Sequence, residues 1–200
     1  EKLFVNPYGC DLSKFYKSTK EDTTFRIIFC GMASIQKGFH YLLEAFSMID
    51  ESYKIELWHI GSIQREIKPF IAKYQSNKIK YVGTVSKDKL VDFYSQGSVF
   101  VLPSLQEGLA MVMLEAMACG LPLICTPNTG VEDIITDGEE GFIVPIRDPS
   151  AIKNKIQFLY NHPNKCADMG YKSLKKVQNG FSWEDYGSRY SKFLKSLKIE

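Results

Sequence analysis

Short apolar runs alternate along the chain with segments in which apolar residues recur every three or four positions. The first apolar run, Phe25 to Cys30 (FRIIFC), is followed by a segment with Phe39, Leu42 and Phe46 at helical spacing. A continuous apolar run is typical of a buried strand, and the second spacing is typical of a helix with one buried face. The pattern therefore predicts a β-strand and then an α-helix.

The same alternation predicts the rest of the fold. Five further strands are expected at YKIELWHIG, KIKYVG, SVFVLP, LPLICT and GFIVP. Helices are expected at residues 64–75, around Leu90 to Tyr94, within EGLAMVMLEAMACG at residues 107–120, and at residues 131–135, 149–160, 165–178 and 182–197. Ser182, with Asp185 three residues on, resembles a capping box at the start of the last helix.

Regular alternation of strands and helices predicts an α/β fold. We expect a doubly wound, Rossmann-like parallel sheet of about six strands with helices on both faces. In such a sheet, ligands bind beyond the carboxyl ends of the strands. The chain has no internal repeat, linker or low-complexity tract, so residues 1–200 are expected to form a single domain.

Composition and charge exclude several classes of function. Of the 200 residues, 44% are hydrophobic and 24% are charged, and the net charge of +2 comes from acids and bases mixed along the chain, so no nucleic-acid-binding surface is expected. We find no signal peptide and no apolar run of membrane-spanning length.

The five cysteines form no C-x-x-C pair and favour packed, free thiols in a reducing, cytoplasmic compartment. The histidines lie too far apart in sequence to suggest a metal site.

Glycines at the ends of predicted strands suggest phosphate-binding turns, as at Gly31 and Gly83. In GMASIQKG, Gly31 and Lys37 have the separation of a Walker A loop, but Gln36 replaces its second glycine and Gly38 replaces its hydroxyl residue. The chain has no G-x-G-x-x-G loop and no G-x-S-x-G elbow. These absences disfavour a nucleoside triphosphatase, a dehydrogenase and an α/β-hydrolase.

Three charged residues remain as candidates for binding an anion or a polyol. Lys37 precedes a predicted helix and could meet an anion there, although taken alone it is better explained as a solvated loop lysine. The helix expected to begin near Gly108 or Leu109 would put Glu107 at the mouth of the site and Glu115 roughly 12 Å further in, rotated by roughly 80°. A helix start between two acids suits a nucleotide sugar, with phosphate at the helix and hydroxyls at the acids. A capping Glu107 and a solvent-facing Glu115 would have the same spacing.

Segments in order across nearly the whole chain resemble the C-terminal half of a family 4 (group 1) glycosyltransferase of the GT-B fold. They are VNPYGCDLSKF, IIFCGMASIQKGFHYLLEAF, the block from YVGTVSKDKL to EEGFIVP with its E-x7-E motif, and FSWEDYGSRY. The resemblance implies a nucleotide-sugar-binding domain whose N-terminal acceptor domain is absent from this chain. Because the last helix of such folds often contacts the partner domain, Phe193, Leu194 and Leu197 are expected to be exposed.

The resemblance also implies roles for the matching residues. Glu107 and Lys37 would be catalytic: Glu107 would contact the donor sugar, and Lys37 would neutralise the departing diphosphate. Glu115 would bind the ribose hydroxyls. The other donor-binding residues would be Gly31, Gly83, Thr84, Val85, Gly108, Leu109 and Ala110, of which Thr84 and Val85 would hold the base and residues 108–110 would offer backbone N–H groups. No metal and no cofactor is implied, and the donor would be a UDP-, GDP- or ADP-sugar.

The implied activity is the retaining transfer of a hexose from a nucleoside-diphosphate sugar to a glycan or lipid-linked acceptor in polysaccharide or glycoconjugate biosynthesis. The isolated domain is expected to bind nucleotide without transferring sugar, and association of the full-length protein with the inner face of the membrane stays open. Met32 and Gln36 stand where many members have arginine, and Ala110 stands where glycine is frequent. These departures leave a non-catalytic nucleotide-sugar-binding module as one alternative. A related GT-B epimerase or phosphorylase is the other.

Overall fold

The computed structural model describes residues 3–197 of the 200-residue chain. Its strands are β1 (Phe25–Cys30), β2 (Ile55–Ile60), β3 (Ile79–Gly83), β4 (Val99–Leu102), β5 (Leu123–Cys125) and β6 (Gly141–Ile143). They form one parallel sheet in the order β3-β2-β1-β4-β5-β6. The prediction of a doubly wound parallel sheet is therefore confirmed, with the expected number of strands.

Helices follow most of the strands, as the alternation predicts. They are α1 (Phe39–Ser47), α2 (Lys68–Lys73), α3 (Leu90–Ser95), α4 (Met111–Ala118), α5 (Pro149–Asn161), α6 (Pro163–Gln178) and α7 (Trp183–Ser196). Short 3₁₀ turns lie at Arg65–Ile67, Lys87–Lys89, Pro127–Thr129 and Val131–Asp133. The predicted capping box of the last helix is present, since Ser182 and Asp185 bond reciprocally at the start of α7.

Two of the predicted helices are shorter than expected. Residues 64–75 form a 3₁₀ turn followed by the short α2, which ends at Lys73. Residues 131–135 form only a 3₁₀ turn, because Ile134 leaves the helical region with φ −121° and ψ −24°. Neither segment therefore forms the full helix that was expected.

The start of α4 also differs from the prediction. The helix begins at Met111 and not near Gly108 or Leu109. The preceding backbone is paired with a neighbouring loop, because the amide of Glu107 donates to the carbonyl of Asn128 at 2.7 Å. These bonds hold the chain extended, so Glu107 lies ahead of the helix, separated from it by three residues.

The core surrounds the two central strands. Every residue of 27–30 in β1 and of 99–102 in β4 is buried. Because successive side chains of a strand point to opposite faces, both faces of the sheet are covered. Helix α1 packs against α5 and helix α4 packs against α6. The continuous apolar runs of the sequence correspond to these doubly covered strands.

The five cysteines are free thiols, and Cys10, Cys30, Cys119 and Cys125 are buried. Burial raises the pKa of Cys10 and Cys119 to about 12. Four of the thiols are packed in the core, as predicted, whereas Cys166 is partly buried and donates to the Ser98 carbonyl.

The amino-terminal segment and α7 are joined to each other. The amide of Cys10 donates to the carbonyl of Phe181 at 2.7 Å, and the Arg189 guanidinium donates to Asn6 Oδ1 at 2.7 Å. Helix α7 has no buried residue. Leu194 and Leu197 are exposed, as expected.

One of the three side chains predicted to be exposed on α7 is partly covered. The Phe193 ring is half-buried and stacks on the ring of Phe4, with 4.1 Å between the ring centroids. The amino-terminal segment therefore covers a part of α7 that was expected to be open.

Candidate functional site

The strand order reverses between β1 and β4, because β2 and β3 lie on one side of β1 and the later strands lie on the other. The loops that follow β1 and β4 meet at this point. The strand order puts these strands side by side, and in doubly wound sheets a crevice for ligands opens there. Gly38, at the end of the β1 loop, has φ 66°, and a Cβ atom at this position would lie 1.9 Å from the carbonyl oxygen of Pro103. Only glycine allows the start of α1 to approach the end of β4 this closely.

Gln36 joins the same two loops. Its carbonyl accepts a hydrogen bond from the amide of Leu105 at 2.8 Å, and its Nε2 donates to the carbonyl of Gln106 at 3.2 Å. The residue that stands where many relatives are expected to have arginine therefore has a structural role in this chain. It positions the β4 loop against the β1 loop.

Lys37 and Glu107 meet where the two loops converge. Lys37 Nζ lies 2.6 Å from Glu107 Oε1, and the exposed fractions of the two side chains are 23% and 15%. Ser104 Oγ donates to the same carboxylate oxygen at 3.3 Å. The backbone amide of Lys37 donates to Ser34 Oγ at 3.1 Å. The two predicted catalytic residues are thus brought together as an ion pair that solvent can still reach.

The backbone that follows Glu107 offers fewer N–H groups than expected. Ala110 is buried, and its amide donates to the carbonyl of Thr129 at 3.4 Å. Within residues 3–197, the amides of Gly108 and Leu109 have no acceptor. Gly108 is exposed and faces open space. Of the three predicted donors, Gly108 and Leu109 remain available and Ala110 does not.

Glu115 lies inside α4 and is only 5% exposed. Its Oε1 lies 3.4 Å from Lys87 Nζ, and its Oε2 accepts a hydrogen bond from the Tyr94 hydroxyl at 3.4 Å. Burial raises the pKa of Glu115, and the Lys87 ammonium and the Tyr94 hydroxyl oppose that rise. The alternative that Glu115 faces water is therefore wrong.

The predicted base-binding residues line a cavity of 240 Å³ at the carboxyl ends of β1, β2 and β3. Its walls are formed by Cys30, Gly31, Met32, Ile60, Gly61, Ser62, Thr84, Val85 and Leu90. The amide of Gly61 donates to the carbonyl of Gly83 at 2.9 Å and joins the two outer loops. Gly31, Thr84 and Val85 therefore line one cavity, and Gly83 directly precedes Thr84 in the chain.

A larger cavity, of 830 Å³, lies at the opposite, amino ends of the strands. Phe25, Ser98 and Pro122 line it, at or just before the amino ends of β1, β4 and β5. Its partly buried Lys20 already donates to the Thr24 carbonyl and to Ser98 Oγ. Because Lys37, Glu107 and the free backbone amides converge at the carboxyl ends of the strands, the smaller cavity and the Lys37–Glu107 pair form the candidate functional site.

Sequence reasoning missed three residues that complete the site. Ser104 contacts Glu107, while Tyr94 and Lys87 contact Glu115. Tyr94 stood out only as an apolar position of α3, and the spacing of Lys87 gave no signal. The two contacts to Glu115 join elements more than twenty residues apart, so only the folded chain reveals them.

The part of the chain that the structure describes offers no site for a metal ion of the usual kind. None of its histidine, cysteine, aspartate and glutamate side chains form a group of three or more that could hold a metal ion. In residues 3–197, no helix has both the length and the apolar character that crossing a membrane requires.

Comparison with known proteins identifies a family model and several proteins to which this chain is similar. A family model described as "Glycosyl transferases group 1" matches residues 13–176. The capsular polysaccharide biosynthesis glycosyltransferase CapM of Staphylococcus aureus is 34% identical over 191 residues, which cover 91% of this chain and 49% of CapM.

Two solved structures share the fold. Sucrose-phosphate synthase from Thermosynechococcus elongatus superposes with a TM-score of 0.85 at 25% identity, over 96% of this chain and 51% of that one. Anabaena Alr3699/HepE, solved in complex with UDP, superposes with a TM-score of 0.83 at 18% identity, over 94% of this chain and 56% of that one. The chain thus spans about half the length of the relatives it matches.

Proposed function

The chain belongs to the group 1 glycosyltransferase family, and on this premise we propose that it is the donor-binding domain of a retaining glycosyltransferase. Its donor is a nucleoside-diphosphate sugar. The observation that carries the proposal is the Lys37–Glu107 pair, whose charged atoms lie 2.6 Å apart beyond the carboxyl ends of the strands. A cation for the diphosphate and a carboxylate for sugar hydroxyls are the two groups that such a donor needs at its centre.

The remaining contacts follow the length of the donor. The 240 Å³ cavity beside Thr84 and Val85 takes the base. The buried carboxylate of Glu115 accepts hydrogen bonds from the ribose hydroxyls, because each of its oxygens has a single long hydrogen bond or ion pair at 3.4 Å and keeps free lone pairs. The amides of Gly108 and Leu109 donate to the diphosphate and the sugar. HepE, which shares this fold and was solved in complex with UDP, supports the proposal that the ligand contains a nucleoside diphosphate.

Transfer breaks the bond between the anomeric carbon and the diphosphate oxygen and forms a bond from that carbon to an acceptor hydroxyl oxygen, while the hydroxyl proton passes to the departing diphosphate. Negative charge then accumulates on the departing diphosphate, and preorganised donors stabilise it. In this mechanism the Lys37 ammonium exchanges Glu107 for the diphosphate, and the Gly108 and Leu109 amides add neutral donors. Glu107 is thereby released to accept hydrogen bonds from the hexose. The proposal assigns this charge to protein groups and involves no metal ion or cofactor.

The acceptor is a proposal that rests on the relatives. CapM is named for capsular polysaccharide biosynthesis, and we extend this to a glycan or lipid-linked acceptor for the whole protein. Because the chain spans about half of CapM, the acceptor-binding domain belongs to a further part of the protein. The exposed Trp183, Tyr190 and Leu194 of α7 would contact that domain. Buried free thiols support a reducing, cytoplasmic compartment.

Calorimetric titration of the chain with UDP, GDP and ADP tests the donor assignment. One of the three is expected to bind with the highest affinity, and Glu115→Ala is expected to weaken it by about tenfold or more, because the ribose loses hydrogen bonds to a charged acceptor. Glu184→Ala, a substitution on the exposed part of α7, serves as the matched control. Failure of all three nucleotides to bind would contradict the proposal.

A non-catalytic nucleotide-sugar-binding module is the second candidate. The observation in its favour is that Lys37 and Glu107 neutralise each other while Met32 and Gln36 supply no second cation. Such a module would bind nucleotide as strongly as an enzyme does, but the full-length protein would transfer no sugar. A transfer assay of the full-length protein with the preferred donor separates the two candidates.

A further inference from the structure

Lys87 is the residue that joins the base-binding loop to the buried ribose carboxylate. It begins the 3₁₀ turn Lys87–Lys89, directly behind the loop in which Thr84 and Val85 line the 240 Å³ cavity. From there its ammonium reaches Glu115 Oε1 at 3.4 Å and lies 5.8 Å from the centre of the Phe15 ring. The side chain is 54% exposed, whereas that of Glu115 is 7% exposed. An accessible cation therefore covers an otherwise buried acid.

We propose that Lys87 is a positioning residue that sets how strongly the site prefers a ribose with both hydroxyl groups. Lys87 and the Tyr94 hydroxyl hold one oxygen of Glu115 each, at 3.4 Å. Together they fix the orientation of the carboxylate, so that its remaining lone pairs face the ribose. This inference rests on the proposed donor-binding function and assigns specificity to a residue outside the E-x7-E motif.

Among the groups around Glu115, Lys87 is the one that most favours the ionised form of its carboxylate. Burial raises the pKa of Glu115, and Lys87 is the largest opposing influence. The other titratable groups that face this carboxylate are the Tyr94 hydroxyl and the thiols of Cys10, Cys30 and Cys119. Burial raises the pKa of each of these groups, so they stay neutral near pH 7. Lys87 is therefore the charged group in this set that favours the anionic, accepting form of the carboxylate, and the Tyr94 hydroxyl adds to its effect.

The test compares the preferred nucleoside diphosphate with its 2′,3′-dideoxy analogue. Wild type is expected to bind the ribose form about tenfold or more tightly than the dideoxy form, because charged hydrogen bonds are lost with the hydroxyls. Lys87→Met is expected to reduce this ratio to about threefold or less, with little change in affinity for the dideoxy compound. Lys87→Arg, which keeps the charge, is expected to restore most of the ratio. Lys89→Met, an exposed substitution in the same turn, is the control and is expected to change neither affinity.

The pH dependence provides a second readout. Without Lys87 the pKa of Glu115 rises further, so Lys87→Met is expected to lose ribonucleotide affinity at a higher pH than wild type as the solution is acidified. Thermal unfolding checks that the variant remains folded. A ratio that Lys87→Met leaves unchanged, or an equal loss of affinity for both compounds, would overturn the inference. A wild-type chain that binds neither compound would instead overturn the proposed function.

Discussion

Lys37 and Glu107 are the two residues on which the proposed chemistry depends, and in the structure each has the other as its charged partner. Each must change partner when a donor binds, since the ammonium then pairs with the diphosphate and the carboxylate with the sugar. This exchange separates the contributions of the two residues. Nucleotide affinity should depend on Lys37, and recognition of the sugar should depend on Glu107.

Glu107→Gln tests that separation. The affinity for the nucleoside diphosphate alone is expected to be unchanged or higher, because Lys37 no longer has a competing carboxylate. The additional affinity for the nucleotide sugar is expected to fall by about tenfold, because the amide accepts weaker hydrogen bonds from the hydroxyls than a carboxylate does. Calorimetry with both ligands measures the difference, with the exposed Glu132→Gln as control. Weaker binding of the nucleoside diphosphate itself would show that the separation is wrong.

Burial of Glu115 predicts how stability changes with pH. Its folded-state pKa is raised above the ordinary value of 4.5, so the folded chain holds the proton more tightly than the unfolded chain. Stability from this group is therefore present below pH 4.5 and is lost as the pH rises through the raised pKa.

Glu115→Gln removes that pH-dependent loss. The variant is expected to unfold at a higher temperature than wild type at pH 7.5, and the difference should shrink as the pH falls toward 5. Thermal scans at several pH values measure this, with Glu184→Gln, a substitution on the exposed part of α7, as control. A variant less stable than wild type at pH 7.5 would contradict the buried position of an ionised Glu115.

At the scale of the elements, the close approach of two loops builds the site. Gly38 has φ 66°, and its Cα lies against the Pro103 carbonyl. Gly38→Ala is expected to cost about 2 kcal/mol or more in the free energy of unfolding, from backbone strain and from the clash with Pro103. Nucleotide affinity should fall as well, because Lys37 immediately precedes Gly38 in the chain.

Gly187→Ala is the matched control for this substitution. Gly187 lies inside α7, and a Cβ atom there would meet nothing within 4 Å. Alanine at this position is expected to raise the free energy of unfolding by about 0.5–1 kcal/mol through its higher helix propensity. Denaturant titrations of both variants measure the two effects. Equal effects of the two substitutions would contradict the close approach at Pro103.

The pattern of apolar residues predicted elements well where packing alone decides them. All six strands appear where continuous apolar runs occur, and the capping box at Ser182 appears as its spacing indicates. Prediction was wrong where loops pair with each other. The start of α4 moved to Met111 because the preceding backbone bonds to Asn128 and Thr129, a pairing that no local pattern records.

The candidate site divides in the same way. Lys37, Glu107 and Glu115 stand in motifs and could be named from the sequence. Lys87 and Tyr94 could not, because they reach Glu115 from elements that precede it by more than twenty residues. The tie that Gln36 makes to the carbonyl of Gln106 was hidden for the same reason.

For the whole molecule, the main inference is that donor binding and sugar transfer are separable. The chain contains the candidate donor site but spans about half of CapM, and α7 carries the exposed side chains of Trp183, Tyr190 and Leu194. The isolated chain is therefore expected to bind a nucleoside diphosphate without transferring sugar. A transfer assay with the preferred donor and a panel of glycan acceptors tests this, and no turnover is expected. Robust turnover would contradict the separation of donor binding from sugar transfer.

Lys37 is proposed to bind the diphosphate of the donor, and a single titration tests this role. Calorimetry measures the affinity of wild type, Lys37→Ala and Lys17→Ala for the preferred nucleoside diphosphate. Lys17 is the control, because it is exposed and lines the cavity at the amino ends of the strands. We expect Lys37→Ala to weaken binding by about tenfold to a hundredfold, the loss expected for one charged hydrogen bond, and Lys17→Ala to bind as wild type does. Wild-type affinity in Lys37→Ala would show that Lys37 does not bind the diphosphate.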